Sequence, residues 1–121
     1  MNLIPSEAQE QEVVIQYCDL RSIPIFAIPN GGTRNKLEAV NLKRQGVKAG
    51  VPDLCLPIPK GKYASLYIEM KRVGKSTVSQ AQKDWIALLN KEGNLAVICY
   101  GADEAIDTIN NYLRGKHVRF Y

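Results

Sequence analysis

Residues 51–71, VPDLCLPIPKGKYASLYIEMK, decide the fold of this chain. Two apolar runs are separated by a Pro-Lys-Gly-Lys turn, so we expect them to form neighbouring strands of one sheet. Asp53 begins the first run, and Glu69 and Lys71 stand near the end of the second. Because side chains alternate faces along a strand, Glu69 and Lys71 point to one side while Met70 points to the other. Two carboxylates and an ammonium group are therefore predicted to converge at one end of the strand pair.

The rest of the chain predicts four helices and two more strands around this pair. Ser6 and Gln9 form a capping-box pattern at the start of the first helix, and apolar residues at helical spacing follow them. The predicted elements, in chain order, are a helix over 6–21, a strand over 25–28, a helix over 36–45, the strand pair, a helix over 76–92, a strand over 95–100 and a helix over 103–113. This order predicts an α/β sandwich around a small mixed sheet.

Length and composition indicate one ordinary globular domain. The 121 residues are 45% hydrophobic and 23% charged, which are usual proportions and sufficient for one buried core. No apolar run approaches the roughly 20 residues that span a bilayer, and residues 1–5 are too short and uncharged for a signal peptide. We therefore expect a single-domain cytoplasmic protein without a membrane partner. Three cysteines lie far apart in apolar runs, which predicts buried thiols rather than disulfides or a zinc site: Cys18, Cys55 and Cys99.

The charge balance favours an anionic partner. Sixteen basic residues against 12 acidic ones give a net charge of +4, and nucleic acid is the commonest partner of such a protein. The candidates for contact with a nucleic-acid backbone are Arg34 in a glycine-rich loop, Lys36 and Lys43 on the following helix, and Lys48 after it. The same residues also have an explanation that needs no partner: the glycine-rich loop would be a flexible turn, and the lysines would lie on a solvated helix face.

Motifs that the chain lacks narrow the chemistry. Its one histidine lies near the end of the chain, which argues against a Ser-His-Asp hydrolase, and neither a P-loop nor the Gly-x-Gly-x-x-Gly fingerprint occurs. Carboxylate chemistry with a hard cation remains. Asp53, Glu69 and the backbone carbonyl of Met70 could bind Mg²⁺ or Mn²⁺, and Lys71 could orient or deprotonate an attacking water.

A purely structural interpretation explains the same motif differently. Asp53 would be a turn former, and Glu69 with Lys71 would be an exposed ion pair worth about 0–1 kcal/mol. The charged residues interleave with Ile68 and Met70 on a strand that is otherwise apolar. Because charges on an inner strand are costly unless they are paired or used, this setting favours a functional site.

Two segments, GVPDL at 50–54 and IEMK at 68–71, resemble the catalytic signature of the PD-(D/E)XK nuclease superfamily. The closer resemblance is to its virus-type replication-repair nuclease (VRR-NUC) family, and it covers about residues 6–113. The supporting segments, in chain order, are Glu7 with Gln11 in the first helix, PNGG at 29–32, GVKAG at 46–50 and the Ser-x-x-Gln of 79–82.

The resemblance implies a restriction-endonuclease-like fold with Mg²⁺ or Mn²⁺ as cofactor. Asp53 and Glu69 would be the metal ligands, together with the carbonyl of Met70. Lys71 would be the catalytic lysine, and Gln82 a supporting amide in the active site.

Glu7 would complete the metal site, directly or through water. A shift in the register of the first helix would put Glu10 or Glu12 in its place. As a residue of the first helical turn it could also be a solvated acid that stabilises the helix dipole.

The resemblance further implies a structure-selective DNA endonuclease of the stand-alone viral type. Stand-alone relatives often dimerise, and two active sites at a fixed separation suit symmetric cutting of a four-way junction. A homodimeric Holliday-junction resolvase is therefore one candidate. The alternatives are a nuclease directed at flaps or nicks, and a nucleic-acid binding module that keeps the fold without turnover.

Overall fold

The chain forms a four-stranded mixed sheet with four helices, described by a computed structural model for residues 3–29, 35–74 and 76–116. The elements, in chain order, are α1 (Glu7–Leu20), β1 (Phe26–Ala27), α2 (Lys36–Arg44), β2 (Leu54–Leu56), β3 (Leu66–Lys71), α3 (Gln80–Lys91), β4 (Leu95–Tyr100) and α4 (Ala102–Leu113). This sequence of elements confirms the predicted α/β architecture.

The strands lie side by side in chain order, β1-β2-β3-β4. β1 pairs antiparallel with β2, β2 antiparallel with β3, and β3 parallel with β4. The predicted strand pair therefore exists, although the connection over 57–65 is longer than the expected four-residue turn. β3 is an inner strand, with β2 on one side and β4 on the other.

The two faces of β3 point into different layers. Leu66, Ile68 and Met70 belong to the main hydrophobic core, which also contains residues of α1 and α4, such as Val14 and Ile109. The alternating residues of β3 face the other way, toward α3. The sheet is thus covered by α1 and α4 on one face and by α3 on the other.

Two capping boxes fix the starts of α1 and α3. At α1, the Gln9 backbone N–H donates to Ser6 Oγ at 3.1 Å, and the Ser6 N–H donates back to Gln9 Oε1 at 2.8 Å. Ser79 and Gln82 form the same reciprocal pair, so α3 begins at Gln80. The predicted start at residue 76 is therefore wrong, because the Ser79 cap ends the extended segment that precedes the helix.

The remaining boundaries differ little from the predictions. The strand predicted over 25–28 shortens to Phe26–Ala27 between two prolines, which cannot donate to a ladder. All three cysteines are buried and free, as expected. Among the described residues, no helix is both long and apolar enough to cross a membrane. Arg34 and most of the glycine-rich loop, residues 30–34, lie outside the described residues.

Candidate active site

The predicted carboxylates of β2 and β3 come together at one end of the strand pair. Asp53 directly precedes β2, and its Oδ2 accepts a 2.7 Å hydrogen bond from the backbone N–H of Met70. This bond ties the Asp53 carboxylate to β3 beside Glu69. The Met70 side chain is fully buried in the opposite face of the sheet, so only its main chain takes part in the site.

Glu69 and Lys71 are buried, which excludes the interpretation as an exposed ion pair. Glu69 is 2% and Lys71 6% exposed. Lys71 Nζ lies 4.0 Å from Glu69 Oε2, at the limit of a salt bridge. A charge pair held this loosely does not repay the cost of removing both groups from water. The burial therefore calls for a further partner.

One oxygen of Glu69 lacks a hydrogen-bond donor. Oε2 accepts from Gln82 Nε2 at 3.1 Å, whereas Oε1 is fully buried and no donor in the described residues reaches it. The neighbouring Asp53 carboxylate is itself an acceptor, so the two acids can share a hydrogen bond only when one of them is protonated. A buried acceptor without a donor costs about 1–3 kcal/mol or more when charged.

The electrostatics of Glu69 follow from this arrangement. Burial and then the charge and hydrogen bonding of Asp53 raise the pKa of Glu69 to about 8, while Lys71 acts in the opposite direction and Glu7 adds a last contribution that raises it. Two carboxylates in a dry site resist sharing a negative charge. A divalent cation would remove this conflict, so the donor set of oxygen ligands fits Mg²⁺ or Mn²⁺.

Gln82 is held by its own helix cap. Its Oε1 accepts from the backbone N–H of Ser79 at 2.9 Å, which leaves Nε2 to donate to Glu69. One side chain therefore caps α3 and orients a buried carboxylate. The sequence contained the signal for the capping role alone, since Ser79-x-x-Gln82 repeats the pattern of Ser6-x-x-Gln9.

Glu7 lies near these residues without joining them. It is the exposed first residue of α1, and of the acids in that helix it is the one whose charge raises the pKa of Glu69. No group of three acidic, histidine or cysteine side chains in the described ranges is placed to hold a metal ion together. The structure thus brings Asp53 and Glu69 together and leaves Glu7 at the periphery.

The two alternative acids of α1 point elsewhere. The carboxylate of Glu10 packs against Gly101, where an added Cβ would lie 2.8 Å from Glu10 Oε2. Glu12 is exposed on the helix surface, and neither Glu10 nor Glu12 is among the charges that raise the pKa of Glu69. The geometry therefore favours Glu7 among the three.

Gly50 is a contributor that the motif alone did not explain. Its φ of +88° lies in the region that favours glycine, and an added Cβ would be 2.7 Å from the backbone carbon of Ala81. This close approach fixes the loop that carries Asp53 against the first turn of α3. Asp53 and Gln82 are consequently positioned by one contact.

The basic candidates lie on or after α2. Lys36 is the first residue of that helix, and Lys43 lies in its last turn. Lys43 and Lys48 line one cavity together with Trp85 of α3, whereas Lys36 does not belong to it.

Comparison with known proteins agrees with this architecture. A family model described as the VRR-NUC domain matches residues 4–103. A solved structure described as a VRR_NUC domain protein superposes with a TM-score of 0.79 at 35% identity, and the alignment covers 93% of this chain and 91% of the other. Comparison with curated protein sequences gives no match.

Proposed function

The chain belongs to the VRR-NUC family and has its nuclease-type fold, and on that premise we propose that it is a divalent-cation-dependent DNA endonuclease selective for branched structures. Resolution of Holliday junctions by a homodimer is the specific activity proposed. One observation carries the proposal: the donor-deficient, buried Glu69 lies beside Asp53 and Lys71, which is a costly arrangement unless a cation and an anionic substrate use it.

Asp53 and Glu69, with the carbonyl of Met70, would hold the cation. A divalent cation bound there would offset negative charge on the scissile phosphate and acidify the attacking water. The chain restrains both ligands in advance, since the Met70 N–H holds Asp53 and the Gln82 amide holds Glu69. Such restraint reduces the reorganisation needed at the moment of reaction.

Lys71 supplies the cationic side chain of the site. Its ammonium group lies next to Glu69 and inside the low-dielectric face of the sheet. There it can orient the attacking water and stabilise negative charge that develops at phosphorus. Glu7, at the start of α1, would reach the cation through an intervening water.

A cleavage panel tests the proposal. We expect the purified protein to cut four-way junctions in Mg²⁺ or Mn²⁺ in preference to flaps, nicks and linear duplex. Asp53→Asn should reduce the rate by about 10²–10³-fold, the contribution of a single preorganised electrostatic group. Asp19→Asn is the matched control, because Asp19 is an exposed aspartate in the last turn of α1.

Calorimetric titration with Mn²⁺ separates the proposal from a binding module. Binding by the wild type that is lost in Asp53→Asn supports the metal site. Cleavage that persists in Asp53→Asn contradicts the assignment. DNA binding without Mn²⁺ binding or cleavage would identify the chain as a binding module instead.

A further inference from the structure

A groove outside the candidate active site runs between α2 and α3. Its volume is about 380 Å³, within the roughly 300–1,000 Å³ of pockets that hold small organic groups. The walls are mainly apolar, and Trp85 of α3 forms one of them. Lys43 and Lys48, both exposed, add two positive charges to the lining.

A helix C-cap shapes the α2 side of the groove. The Val47 N–H donates to the Leu42 carbonyl at 3.0 Å and the Gly46 N–H to the Lys43 carbonyl at 3.1 Å, which is the Schellman arrangement. Gly46 has a φ of +101°, as this cap requires. The cap holds Leu42 and Val47 together as an apolar wall and sends the chain onward to Lys48.

Two connections link this groove to the proposed catalytic residues. Trp85 follows Gln82 by three residues of α3, which corresponds to about 4.5 Å along the helix axis. On the other side, the loop 48–53 runs from the groove to Asp53, and Gly50 holds that loop against α3. The groove therefore lies close to the candidate active site, on the same two structural elements.

We propose that the groove binds an unpaired nucleotide of the DNA substrate. Its base would stack on Trp85, and Lys43 and Lys48 would contact the adjoining phosphates. The argument is complementarity: an aromatic wall accepts the π-face of any base, and lysines beside it attract the backbone. This inference rests on the proposed function and adds to it the part of the substrate that is recognised.

The proposal gives a physical origin for selectivity against intact duplex. A base inside a duplex is stacked and paired, so it cannot enter the groove without disruption of the helix. Nucleotides in a single strand, or unpaired at the centre of a junction, are already accessible. In a duplex, the phosphates of one strand advance about 3.4 Å along the helix axis per nucleotide, and Trp85 lies only about 4.5 Å from Gln82 along α3. The captured nucleotide would therefore lie within a few positions of the scissile phosphate.

Trp85 provides a direct probe, because it is the only tryptophan of the chain. Its emission is recorded in metal-free Asp53→Asn protein, which avoids cleavage, during titration with a ten-nucleotide oligothymidylate. We expect saturable quenching by the single strand and by a junction with unpaired nucleotides at its centre. A labelled blunt duplex, whose binding is followed by its fluorescence anisotropy, should leave the Trp85 emission unchanged when it binds.

Variants of the groove give a second test by anisotropy of a labelled strand. Trp85→Leu should weaken binding of the single strand by about 5- to 150-fold, the range for one stacked base, whereas Trp85→Phe keeps most of the affinity. Binding of blunt duplex should not change in either. Circular dichroism checks that both variants fold.

A charge variant with a matched control tests the lysine contacts. Lys48→Gln should lower the slope of log affinity against log salt by about 0.7 for a single strand. Lys91→Gln removes the same charge from the far end of α3, outside the groove. It should leave the slope unchanged.

Three results would overturn the inference. Single-strand binding without a change in Trp85 emission would show that the base does not reach the groove. Equal losses for single strand and blunt duplex in Trp85→Leu would show a general effect on binding. Trp85 emission that changes with protein concentration but not with added DNA would indicate that a second copy of the chain covers the groove.

The two proposals can fail separately. Cleavage of junctions without quenching would support the proposed nuclease and contradict nucleotide binding in the groove. Quenching by the single strand without cleavage of any substrate by the wild type would support nucleotide binding in the groove and contradict the proposed nuclease.

Discussion

The two faces of β3 differ as strongly as two surfaces of one strand can. Leu66, Ile68 and Met70 point into a sealed apolar core and are inaccessible to solvent. The opposite face carries Glu69 and Lys71, which are buried almost as deeply. The strand therefore buries apolar groups on one side, where burial stabilises the fold, and charged groups on the other, where burial is costly.

This contrast shows how a small domain can support a costly site. Packing on the α1 and α4 side holds β3 in place regardless of what its other face carries. The charged face can then be arranged for a ligand rather than for stability, as strained or costly groups at functional sites generally are. Neighbouring residues of one strand should thus respond oppositely to substitution.

The largest expected difference is between Glu69→Gln and Ile68→Ala. Glu69→Gln should lower DNA cleavage by about 10²–10³-fold, through loss of a carboxylate from the proposed site. It should leave the free energy of unfolding unchanged or raise it, because the cost of burying an ionisable carboxyl group is removed. Ile68→Ala should lower that free energy by about 2–5 kcal/mol through the cavity it creates. Urea unfolding and junction cleavage are measured on both proteins.

A loss of several kcal/mol in metal-free Glu69→Gln would contradict this contrast. It would mean that the carboxylate stabilises the fold and that the two faces are equivalent. Ile68→Val is the milder control on the apolar face, with an expected cost of about 0.5–1.5 kcal/mol.

A smaller effect is expected on the pH dependence of stability in metal-free protein. The pKa of Glu69 rises from 4.5 to about 8 in the folded chain, with burial as the first cause. Between these values the folded state keeps a proton that the unfolded state has released, so stability falls as pH increases through this window. Below it both states are protonated and the penalty disappears. The total fall should be on the order of a few kcal/mol at most, since one pKa unit corresponds to about 1.4 kcal/mol.

Unfolding in chelator between pH 5 and 9 measures this slope. Glu69→Gln should flatten it, whereas Glu92→Gln, an exposed acid at the end of α3, should not. Addition of Mn²⁺ at pH 8 should raise the free energy of unfolding of the wild-type protein by about 2.7 kcal/mol when the Mn²⁺ concentration is 100 times its Kd. Parallel slopes for wild type and Glu69→Gln would show that Glu69 does not titrate in this window.

Local patterns were sufficient to predict most elements and the placement of Glu69 beside Lys71. Alternation places Glu69 and Lys71 on one face from spacing alone, and the Ser6 capping box marks the start of α1. Family membership and fold follow from the same short segments in the right order. These features depend on residues close together in the sequence.

The features that escaped prediction depend on contacts between distant segments. The approach of Gly50 to Ala81 forms only when α3 packs on the sheet. The same packing selects Glu69 as the partner of Gln82, whose amide the sequence predicts at the site without naming its partner. The donor-deficient oxygen of Glu69 likewise depends on everything that surrounds it. The start of α3 was misplaced for a local reason, because Val78 continues the apolar spacing of the helix beyond its cap.

The smallest expected effect compares the two capping boxes, which are matched in sequence but not in surroundings. Gln9 and Gln82 each accept a hydrogen bond from the N–H of their capping serine. Only Gln82 also donates to a buried carboxylate. Either Gln→Ala substitution should cost about 0.5–1.5 kcal/mol of stability, because it removes one hydrogen bond of the capping box. Gln82→Ala should in addition lower cleavage about tenfold, because a residue that orients a metal ligand typically contributes 10–100-fold. Gln9→Ala should cleave at the wild-type rate. Equal cleavage by the two variants would restrict Gln82 to capping α3 and would leave Glu69 without an orienting partner.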